Sequence, residues 1–270
     1  MVRKEGNVPR KYAAPAADAM LDILEYLSDK SLPCGVTEMS KDLGISNNLV
    51  FRVMKCLVER GYAEVQSGGL YQLSTGFFSL GMKLYSRFEL RRRARPHLEK
   101  LSAEVHSTCQ IQIPAGGEML VADVITPDAP FFIQVVPGSR LNYHCNAFGK
   151  VILAFRSEDE IKALLPAKLP ALTPKSLTTR TALLREVART RETGIAYDRD
   201  EYNLGFFCIG SPVLNVSGEA IAGLGVTGLS TLFPESRYPE VEKLVLTCAA
   251  AVSRDIGYLG SFFRDKVAAG

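Results

Sequence analysis

The sequence predicts an α+β protein in two parts, in which a small helical unit with a β-hairpin precedes a larger domain of mixed strands and helices. At 270 residues the chain is longer than a typical single domain, so two domains are expected. Apolar residues recur at helical spacing near the N-terminus, whereas short apolar runs bounded by turn signals are frequent after residue 108. An amphipathic segment at 74–89 joins the two regions.

Residues 37–61 predict two helices joined by a tight turn. Thr37 is suited to cap the first helix, because its side-chain oxygen can accept a backbone N–H. Gly44 allows the left-handed backbone of a sharp turn, and Ser46 is suited to cap the second helix. One face of that second helix is expected to be buried, because apolar residues recur there at helical spacing: Val50, Val53, Met54, Leu57 and Val58.

The opposite face of the second helix carries side chains that suit nucleic acid. Amide and guanidinium groups can bond base edges, and cationic groups can pair with phosphates. A helix–turn–helix unit places the first turns of its second helix in the major groove of DNA. We therefore expect DNA contacts from Thr37, Ser46, Asn47, Asn48, Phe51, Arg52 and Lys55. The alternative is an unrelated pair of short amphipathic helices around a glycine turn, which the motif alone does not exclude.

Two short strands follow this motif directly. Gly61 ends the second helix, and the runs 62–65 and 70–73 flank a turn that contains two glycines. A hairpin at this place is the wing of a winged helix. Upstream, a first helix supplies a further apolar stripe: Met20, Leu21, Ile23, Leu24 and Leu27. We therefore predict a winged helix–turn–helix DNA-binding domain at 16–75, preceded by a flexible basic arm at 1–15.

The charge distribution agrees with double-stranded DNA as a partner. The whole chain carries a net charge of +3, but residues 1–95 hold 15 Lys and Arg against 10 Asp and Glu, a net +5. Residues 96–270 hold 17 against 19, a net −2. Positive charge is thus concentrated on the part that would contact phosphates. The sequence shows neither a secretory signal nor an apolar run of about 18 residues, so we expect a cytoplasmic protein with no membrane partner.

Residues 76–95 are predicted to form a linker helix that supports dimerisation. Its apolar stripe consists of Phe77, Leu80, Leu84 and Phe88. A second copy of this helix would cover the stripe, and helix–turn–helix proteins commonly bind repeated sites as dimers. The alternative is packing of the stripe within its own subunit. The run 90–95 contains four arginines, which either contact DNA phosphates or form a solvated helix end.

From residue 96 on, the pattern predicts an antiparallel sheet with helices packed against it. Turn signals separate six strand-like runs, at 109–113, 119–125, 131–136, 195–197, 206–214 and 220–227. Helices are expected at 96–107, after a cap at Asn146, at 181–193 up to Gly194, and from 235 to about 263. This arrangement is typical of an α+β sensor domain, which we place at 96–270.

The chain resembles the IclR-type bacterial transcriptional regulators over nearly its whole length. The motifs that carry the resemblance in the first part are LDILEYL, VTEMSKDLGISNNLVFRVMKCLVERGY, YQLSTGFFSLG and ARPHLEKLS. In the second part they are LNYHCNAFGKVILAF, RETGIAYDRDEYNLGFFCIGSPVLNVSGEAIAGLGVTG and FPE. The resemblance implies a winged helix, a dimerising linker helix and a C-terminal GAF-like domain that binds a small effector. It also implies a homodimer or a dimer of dimers.

The resemblance further implies an effector site in the second domain. Family effectors are often small carboxylates, and the unpaired N–H groups at the helix start after Asn146 suit an anion. By the resemblance, the pocket residues are Ala147, Phe148, Gly149, Asp198, Cys208, Gly225 and Thr227.

Alternative roles stay open for three of the side chains near this site. Asp198 either contacts the ligand, caps a turn, or pairs with Arg199 or Lys150. Cys208 lies in an apolar run and is either a pocket residue or an ordinary core residue. For Lys150 the alternative to a role in ligand binding is a structural role, since lysine fills this position widely in the family.

Two departures from the family pattern bear on specificity. The recognition helix begins with Ser-Asn-Asn-Leu at 46–49, where family members often carry Pro and Lys or Arg and then Ser-Thr. Because Asn47 and Asn48 suit adenine edges, we expect an operator that differs from a generic family sequence. In the pocket, Gly225 lacks a hydroxyl that many relatives have, and Phe148 is larger than the residue often found there. The expected effector is therefore a less hydrophilic organic acid, such as an aromatic one.

The cysteines and histidines do not predict an enzyme. His144 and Cys145 with Asp198 invite a thiol-nucleophile hypothesis, but neighbours in an extended strand point to opposite faces. The sequence contains no Gly-x-Ser-x-Gly motif and no phosphate-binding glycine loop. Its six cysteines are scattered without a Cys-x-x-Cys pair, so we expect no catalytic residue, metal or cofactor. The alternative function is a thiol-based redox-sensing regulator that uses Cys145 or Cys208.

Overall fold

The computed structural model describes residues 14–86, 89–166, 168–264 and 266. The chain folds as two compact units, Met1–Phe88 and Glu89–Gly270. The basic arm predicted at 1–15 falls almost entirely on residues 1–13, which lie outside the described residues.

The first unit is a winged helix–turn–helix, as the sequence predicts. Its helices are α1 (Pro15–Ser28), α2 (Val36–Leu43), α3 (Asn47–Glu59) and α4 (Thr75–Ser86), and its strands are β1 (Ala63–Gln66) and β2 (Leu70–Leu73). One apolar core joins the first three helices and includes Ile23, Met39, Val50, Met54 and Leu57. β1 and β2 pair antiparallel, and Tyr71 on β2 also pairs with Cys34, which ties the hairpin to the helices.

The turn between α2 and α3 has the predicted chemistry, with one correction. Gly44 ends α2 with a left-handed φ of 68°, and Ser46 Oγ accepts a hydrogen bond from the Leu49 N–H at 3.4 Å. Thr37 does not cap α2, because the helix begins one residue earlier, after Gly35. Thr37 is the second helical residue, so its backbone is already helical and the capping position belongs to the glycine.

The apolar stripe predicted for α1 is narrower in the structure. Ile23 and Leu27 are buried, whereas Leu21 is 55% exposed. Leu21 is two residues before Ile23, and residues two apart on a helix point in nearly opposite directions. The prediction that Leu21 belongs to the core was therefore wrong.

The apolar residues predicted to form one stripe on the linker helix have different environments on α4. Phe77 packs against Tyr62 inside the first unit, with ring centroids 4.6 Å apart. Leu80 is 44% exposed and Phe78 is 69% exposed. The side chains of Leu84 and Phe88 lie outside the described residues. Packing within its own subunit therefore holds for Phe77, and dimerisation through this helix stays a prediction.

The second unit is an antiparallel sheet with helices packed on it. The helices are α5 (Glu89–Val105), α6 (Ala147–Leu153), α7 (Glu158–Leu164), α8 (Arg180–Thr193) and α9 (Tyr238–Asp255). The strands are β3 (Thr108–Ala115), β4 (Glu118–Ile125), β5 (Arg140–Leu141), β6 (Ala196–Arg199), β7 (Phe206–Leu214) and β8 (Ala220–Leu229). Their order in the sheet is β5-β4-β3-β8-β7-β6, with every neighbouring pair antiparallel.

Small residues let α6 lie directly on the sheet. α6 packs on β7 and β8, where a Cβ atom at Gly223 would lie 2.7 Å from the Phe148 carbonyl oxygen. α9 packs on β7, and α5 packs on α9 and β3. The capped start of α6, at Asn146, is thereby held close to the middle strands of the sheet.

Three predicted elements of the second unit need correction. α5 begins at Glu89 instead of 96 and runs through Pro96, because one continuous buried face outweighs the cost of an interior proline; that face consists of Leu90, Ala94, Leu98, Leu101 and Val105. Segment 131–136 is described throughout and pairs with no strand. β5 pairs with the outer edge of β4 instead, and Phe131 is exposed. The closing helix ends at Asp255, because Gly257 has a left-handed φ of 99°.

Candidate functional site

The first candidate surface is the exposed side of α3. Between Asn47 and Lys55 its exposed residues are Asn47, Asn48, Phe51, Arg52 and Lys55. Ser46, directly before the helix, and Thr37 on α2 are exposed as well. Phe51 is 46% exposed, and the Lys55 ammonium group lies 5.8 Å from its ring centroid. Amide, hydroxyl and cationic donors thus share the outer side of the helix that follows the turn, which is the chemistry that DNA contact requires.

The second candidate site is a cavity of about 230 Å³ in the second unit. It lies between the start of α6, strands β3, β6, β7 and β8, and the segment 133–141. Its apolar lining includes Ile133, Val135, Leu141, Phe148 and Phe206. Its polar lining includes Gln110, Gln112, Asn146, Asp198, Cys208 and Thr227.

The structure brings together four of the seven residues that the resemblance assigns to a pocket. Phe148, Asp198, Cys208 and Thr227 line the cavity. Three others are not among its lining residues: Ala147, Gly149 and Gly225. A Cβ atom at Gly149 would collide with the Tyr143 backbone, and one at Gly225 would collide with the Ile209 carbonyl oxygen. These two glycines therefore serve close backbone packing.

Sequence reasoning missed the two glutamines of the cavity. Gln110 and Gln112 are buried, with 3% and 1% of their surface exposed. The signal was present, because two polar residues alternate with apolar ones in the run Cys-Gln-Ile-Gln-Ile at 109–113. In a strand with a period of two, such a pattern places both amides on one face. The glutamines add two amides to a cavity whose surface is mostly apolar.

Three of the lining residues form a row across the sheet. Asp198 on β6 pairs with Cys208 on β7, and Cys208 pairs with Thr227 on β8. The Cys208 Sγ atom lies 3.3 Å from Thr227 Oγ1 and 4.0 Å from Asp198 Oδ2. A carboxyl, a thiol and a hydroxyl group therefore face the cavity side by side.

A chain of side-chain amides leads from the start of α6 to this row. Asn146 Nδ2 donates to Gln112 Oε1 at 2.7 Å, and Gln112 Nε2 donates to Gln110 Oε1 at 2.9 Å. Gln110 Nε2 then donates to Thr227 Oγ1 at 2.6 Å. Asn146 also caps α6, since its Oδ1 accepts from the Phe148 N–H at 3.1 Å. The Phe148 N–H, expected to be free for an anion, is therefore already paired.

The Asp198 carboxyl is buried, and its surroundings favour the protonated form. Burial raises the pKa of its carboxyl to about 7, and the neighbouring Glu201 carboxylate adds to the rise. Its Oδ1 accepts hydrogen bonds from the backbone N–H groups of Glu201, at 2.8 Å, and Tyr202, at 3.3 Å, which oppose the rise. Asp198 thus caps the turn after β6 and also lines the cavity, so its role as a cap leaves ligand contact open as a prediction.

Lys150 has a structural partner. Its side chain is fully buried, and Nζ lies 2.5 Å from Glu201 Oε1 and 2.9 Å from the Tyr197 carbonyl oxygen. The hypothesis that Lys150 pairs with Asp198 was therefore wrong, because the Lys150 ammonium group forms its ion pair with the carboxylate of Glu201. The pair joins α6 to the turn after β6, which contains Glu201 and is capped by Asp198.

The cysteines near the cavity have the environment of core thiols. Burial raises the pKa of the Cys145 thiol, and it raises that of Cys208 well above the usual value. Five of the six cysteines are buried and only Cys56 is exposed. The His144 ring bonds the Pro170 carbonyl oxygen at 2.8 Å, and burial lowers the pKa of this histidine. These observations support neither a reactive thiolate nor a Cys–His pair.

Within the ranges that the structure describes, no group of three His, Cys, Asp or Glu side chains is placed to hold a metal ion. In the same ranges, no helix combines the length and the hydropathy needed to span a bilayer.

The winged helix and its exposed recognition face define the class of a DNA-binding protein. The family model described as IclR helix-turn-helix domain matches residues 16–67, and the model described as bacterial transcriptional regulator IclR C-terminal matches residues 82–254. The chain belongs to the IclR family of bacterial transcriptional regulators. It is thus a DNA-binding transcriptional regulator, as the resemblance of its motifs implies.

Relatives and solved structures agree with this assignment. The HTH-type transcriptional regulator XynR of Escherichia coli is 28% identical over 245 residues, which cover 90% of this chain and 97% of XynR. The crystal structure of the Thermotoga maritima IclR is similar with a TM-score of 0.73 and 25% identity, covering 90% of this chain and 98% of that one. An IclR homologue of Microbacterium hydrocarbonoxydans in complex with 4-hydroxybenzoate shares the fold, with a TM-score of 0.78, 20% identity and coverage of 89% and 98%.

Proposed function

We propose that this regulator changes its affinity for operator DNA when a small organic acid binds in the cavity of the second unit. The observation that carries the proposal is the combination of buried polar groups and apolar walls around one cavity. Ligand sites typically join apolar walls with a few fixed polar groups. At about 230 Å³ the cavity is below the usual range for drug-sized ligands, which favours a small effector.

We assign DNA contact to 16–75, dimerisation to a linker at 76–95, and effector binding to 96–270. The DNA contacts in this proposal come from Ser46 to Lys55 on α3, with Thr37 beside them. Asn47 and Asn48 would bond adenine edges, and Arg52 and Lys55 would supply positive charge. A homodimer or a dimer of dimers would bind a repeated site, which the exposed Phe78 and Leu80 on α4 support.

Asp198, Phe148, Cys208 and Thr227 are the effector contacts in this proposal. Because the Phe148 N–H is already paired, the acid group would be held by side-chain donors. These are the second N–H of Asn146 Nδ2, whose first N–H bonds Gln112, and Arg140 at the rim of the cavity, whose Nη1 also donates to the Ala115 carbonyl oxygen. The apolar body would pack against Phe148 and its neighbours. The homologue that binds 4-hydroxybenzoate supports an organic acid as the class of ligand.

A DNA-release assay tests this function. The protein is bound to a labelled fragment of its own upstream intergenic DNA, and fluorescence anisotropy is followed while carboxylic acids are added at fixed pH and salt. We expect at least one acid to change the DNA affinity, and Asp198→Ala to raise the acid concentration required by tenfold or more. The control is Asp200→Asn, which changes a carboxylate of the same turn that pairs with Lys175 at the surface.

If Asp198→Ala needs the same acid concentration as the unmodified protein to change its DNA affinity, Asp198 has only a structural role. Failure of every acid in a broad panel to change DNA affinity or to bind the protein would contradict the effector proposal itself.

A further inference from the structure

Positive charge is unevenly distributed within the first part of the chain. Residues 1–95 carry a net +5, yet residues 14–86, which contain the winged helix, hold 6 Lys and Arg against 8 Asp and Glu, a net −2. The excess of positive charge comes from the two flanking segments. Residues 1–13 hold 4 Lys and Arg against 1 Glu, a net +3, and residues 87–95 hold 5 against 1, a net +4. The winged helix alone therefore has an unfavourable net charge for a polyanion such as DNA.

The acidic residues of the winged helix are concentrated on its first two helices. Residues 14–43 hold 2 Lys against 6 Asp and Glu, a net −4, whereas residues 44–86 hold 4 Lys and Arg against 2 Glu, a net +2. One of the two lysines, Lys30, pairs with Glu38 at 3.0 Å. DNA bound to α3 therefore gains no net attraction from α1 and α2. Four of the acids share one side of α1 and its end, at a spacing of three or four residues: Asp18, Asp22, Glu25 and Asp29.

The recognition face itself offers few cations. On the exposed side of α3 these are Arg52 and Lys55. The hairpin at 62–73 contains neither Lys nor Arg, and it carries an exposed carboxylate at Glu64. Proteins whose DNA binding depends strongly on salt make about six to ten phosphate contacts. Two cations per subunit, or four in a dimer, are fewer than this number requires.

The arginines of the run 90–95 are engaged within the second unit. Each of the four forms an ion pair there: Arg91 and Arg95 with Asp123, at 3.3 and 3.1 Å, and Arg92 and Arg93 with Glu89, at 2.8 and 2.7 Å. Neighbouring carboxylates thus compensate much of their positive charge. The other excess of cations lies in residues 1–13, at Arg3, Lys4, Arg10 and Lys11.

We propose that segment 1–13 is a second DNA-binding element, whose four cations contact phosphates next to the site of α3. Basic N-terminal arms are a recurrent means of binding nucleic acid. The segment leads into α1, which begins at Pro15 and packs with α3 in one core. A fully extended segment of this length spans about 45 Å, so its cations are within reach of DNA that contacts α3. The inference rests on the proposed DNA contact of α3 and adds an element that the proposed function does not include.

The salt dependence of DNA binding tests this element. One variant of the full chain replaces the four cations by glutamine: Arg3→Gln, Lys4→Gln, Arg10→Gln and Lys11→Gln. Fluorescence anisotropy measures its affinity for the protein's own upstream intergenic DNA at several salt concentrations. Each phosphate contact contributes about 0.9 to the slope of log affinity against log salt, so the slope should flatten by about 3.6 per subunit. At near-physiological salt the affinity of the variant should be at least about tenfold lower.

The control removes the same amount of charge from the second unit. It replaces four exposed cations by glutamine: Lys100→Gln, Lys162→Gln, Arg185→Gln and Lys243→Gln. Both variants have the same net charge, and the control should keep the slope of the unmodified protein to within about 0.9. An equal loss of slope in both variants would overturn the inference, because net charge alone would then explain the loss.

Scrambled DNA identifies the kind of contact. Phosphate contacts carry no sequence information, so the variant in 1–13 should lose affinity for its own and for scrambled DNA by the same factor, within about twofold. A loss confined to its own DNA would overturn phosphate contact as the role of the segment.

The outcomes separate this inference from the proposed function. If the slope changes by less than about 0.9 in the variant while the unmodified protein prefers its own DNA, the inference is overturned and the proposed DNA contact of α3 is kept. If the unmodified protein shows no preference for its own DNA in any condition, the proposed contact of α3 is contradicted as well.

Discussion

Lys150 and Glu201 form an ion pair in the interior of the second unit, with Nζ 2.5 Å from Oε1 and the lysine side chain fully buried. The pair connects α6 with the turn after β6. That turn is also held by Asp198, which accepts the backbone N–H of Glu201. The geometry of the cavity wall thus depends on a charge pair that does not itself line the cavity.

Breaking this pair should destabilise the protein strongly. In Lys150→Met the Glu201 carboxylate is left buried without its partner, which typically costs about 3–5 kcal/mol. Chemical denaturation followed by circular dichroism measures the loss, and Lys150→Met with Glu201→Gln should recover part of it. The control is Lys175→Met, which removes an ion pair with Asp200 whose lysine is exposed to solvent, and which should have a much smaller effect. A loss below about 1 kcal/mol in Lys150→Met would contradict the structural role of the pair.

Arg52→Ala should weaken binding to operator DNA, because it removes an exposed cation from the recognition face. Loss of one phosphate contact lowers the slope of log affinity against log salt by about 0.9, and loss of a bidentate base contact costs about 1–3 kcal/mol. Anisotropy titrations at several salt concentrations measure both quantities. Arg60→Ala, at the other end of the same helix, is the control. If Arg52→Ala and the unmodified protein bind DNA with equal affinity, Arg52 does not contribute to the DNA interface.

Stability should depend on pH through Asp198. Its pKa is about 7 in the folded state against 3.8 for the free side chain, so the folded protein binds more protons between these values. Stability from this group is therefore present below about pH 4 and is lost as the pH rises through 7, by at most about 4 kcal/mol.

The variant Asp198→Asn isolates this effect, because its amide oxygen can still accept the two backbone hydrogen bonds. The unfolding free energy of the unmodified protein, relative to Asp198→Asn, should be higher at pH 5 than at pH 8. A difference that stays constant between the two pH values would show that the Asp198 carboxyl is ionised throughout.

Mild peroxide should leave the cavity thiols intact. Burial raises the pKa of Cys145 and Cys208, so little thiolate is available for oxidation, whereas Cys56 is exposed. Mass spectrometry should locate modification at Cys56, and a Cys56→Ser protein should keep its DNA affinity under peroxide. Oxidation of Cys145 or Cys208 that tracks with DNA release would instead establish the redox-sensing alternative.

Local signals were sufficient to predict the first unit. The turn at Gly44, the cap at Ser46 and the buried face of α3 each depend on residues a few positions apart, so the sequence contains their full context. The cap at Asn146 could be predicted for the same reason. Thr37 was misplaced because a glycine can occupy the capping position without any side-chain signal.

The cavity could not be predicted from local signals, because it depends on contacts between distant parts of the chain. Gln112 meets Asn146 across 34 residues, and Gln110 meets Thr227 across 117. Only the strand order of the folded sheet brings these groups together. The resemblance to the family pointed to Asp198 and Cys208, but it did not indicate the glutamines. The course of α5 through Pro96 was missed because tertiary packing overrode a local helix-breaking signal.

Our central proposal is that the recognition helix binds a specific DNA sequence and that an acid bound in the cavity changes this binding. The most direct measurement is fluorescence anisotropy of the protein on its own upstream intergenic DNA and on scrambled DNA of the same length, at fixed near-physiological salt, with and without the acid that binds most tightly. We predict a clear preference for its own DNA, and a change in that affinity when the acid is present. Equal affinity for both DNAs in every condition would contradict the account, since phosphate contacts alone would then explain the binding.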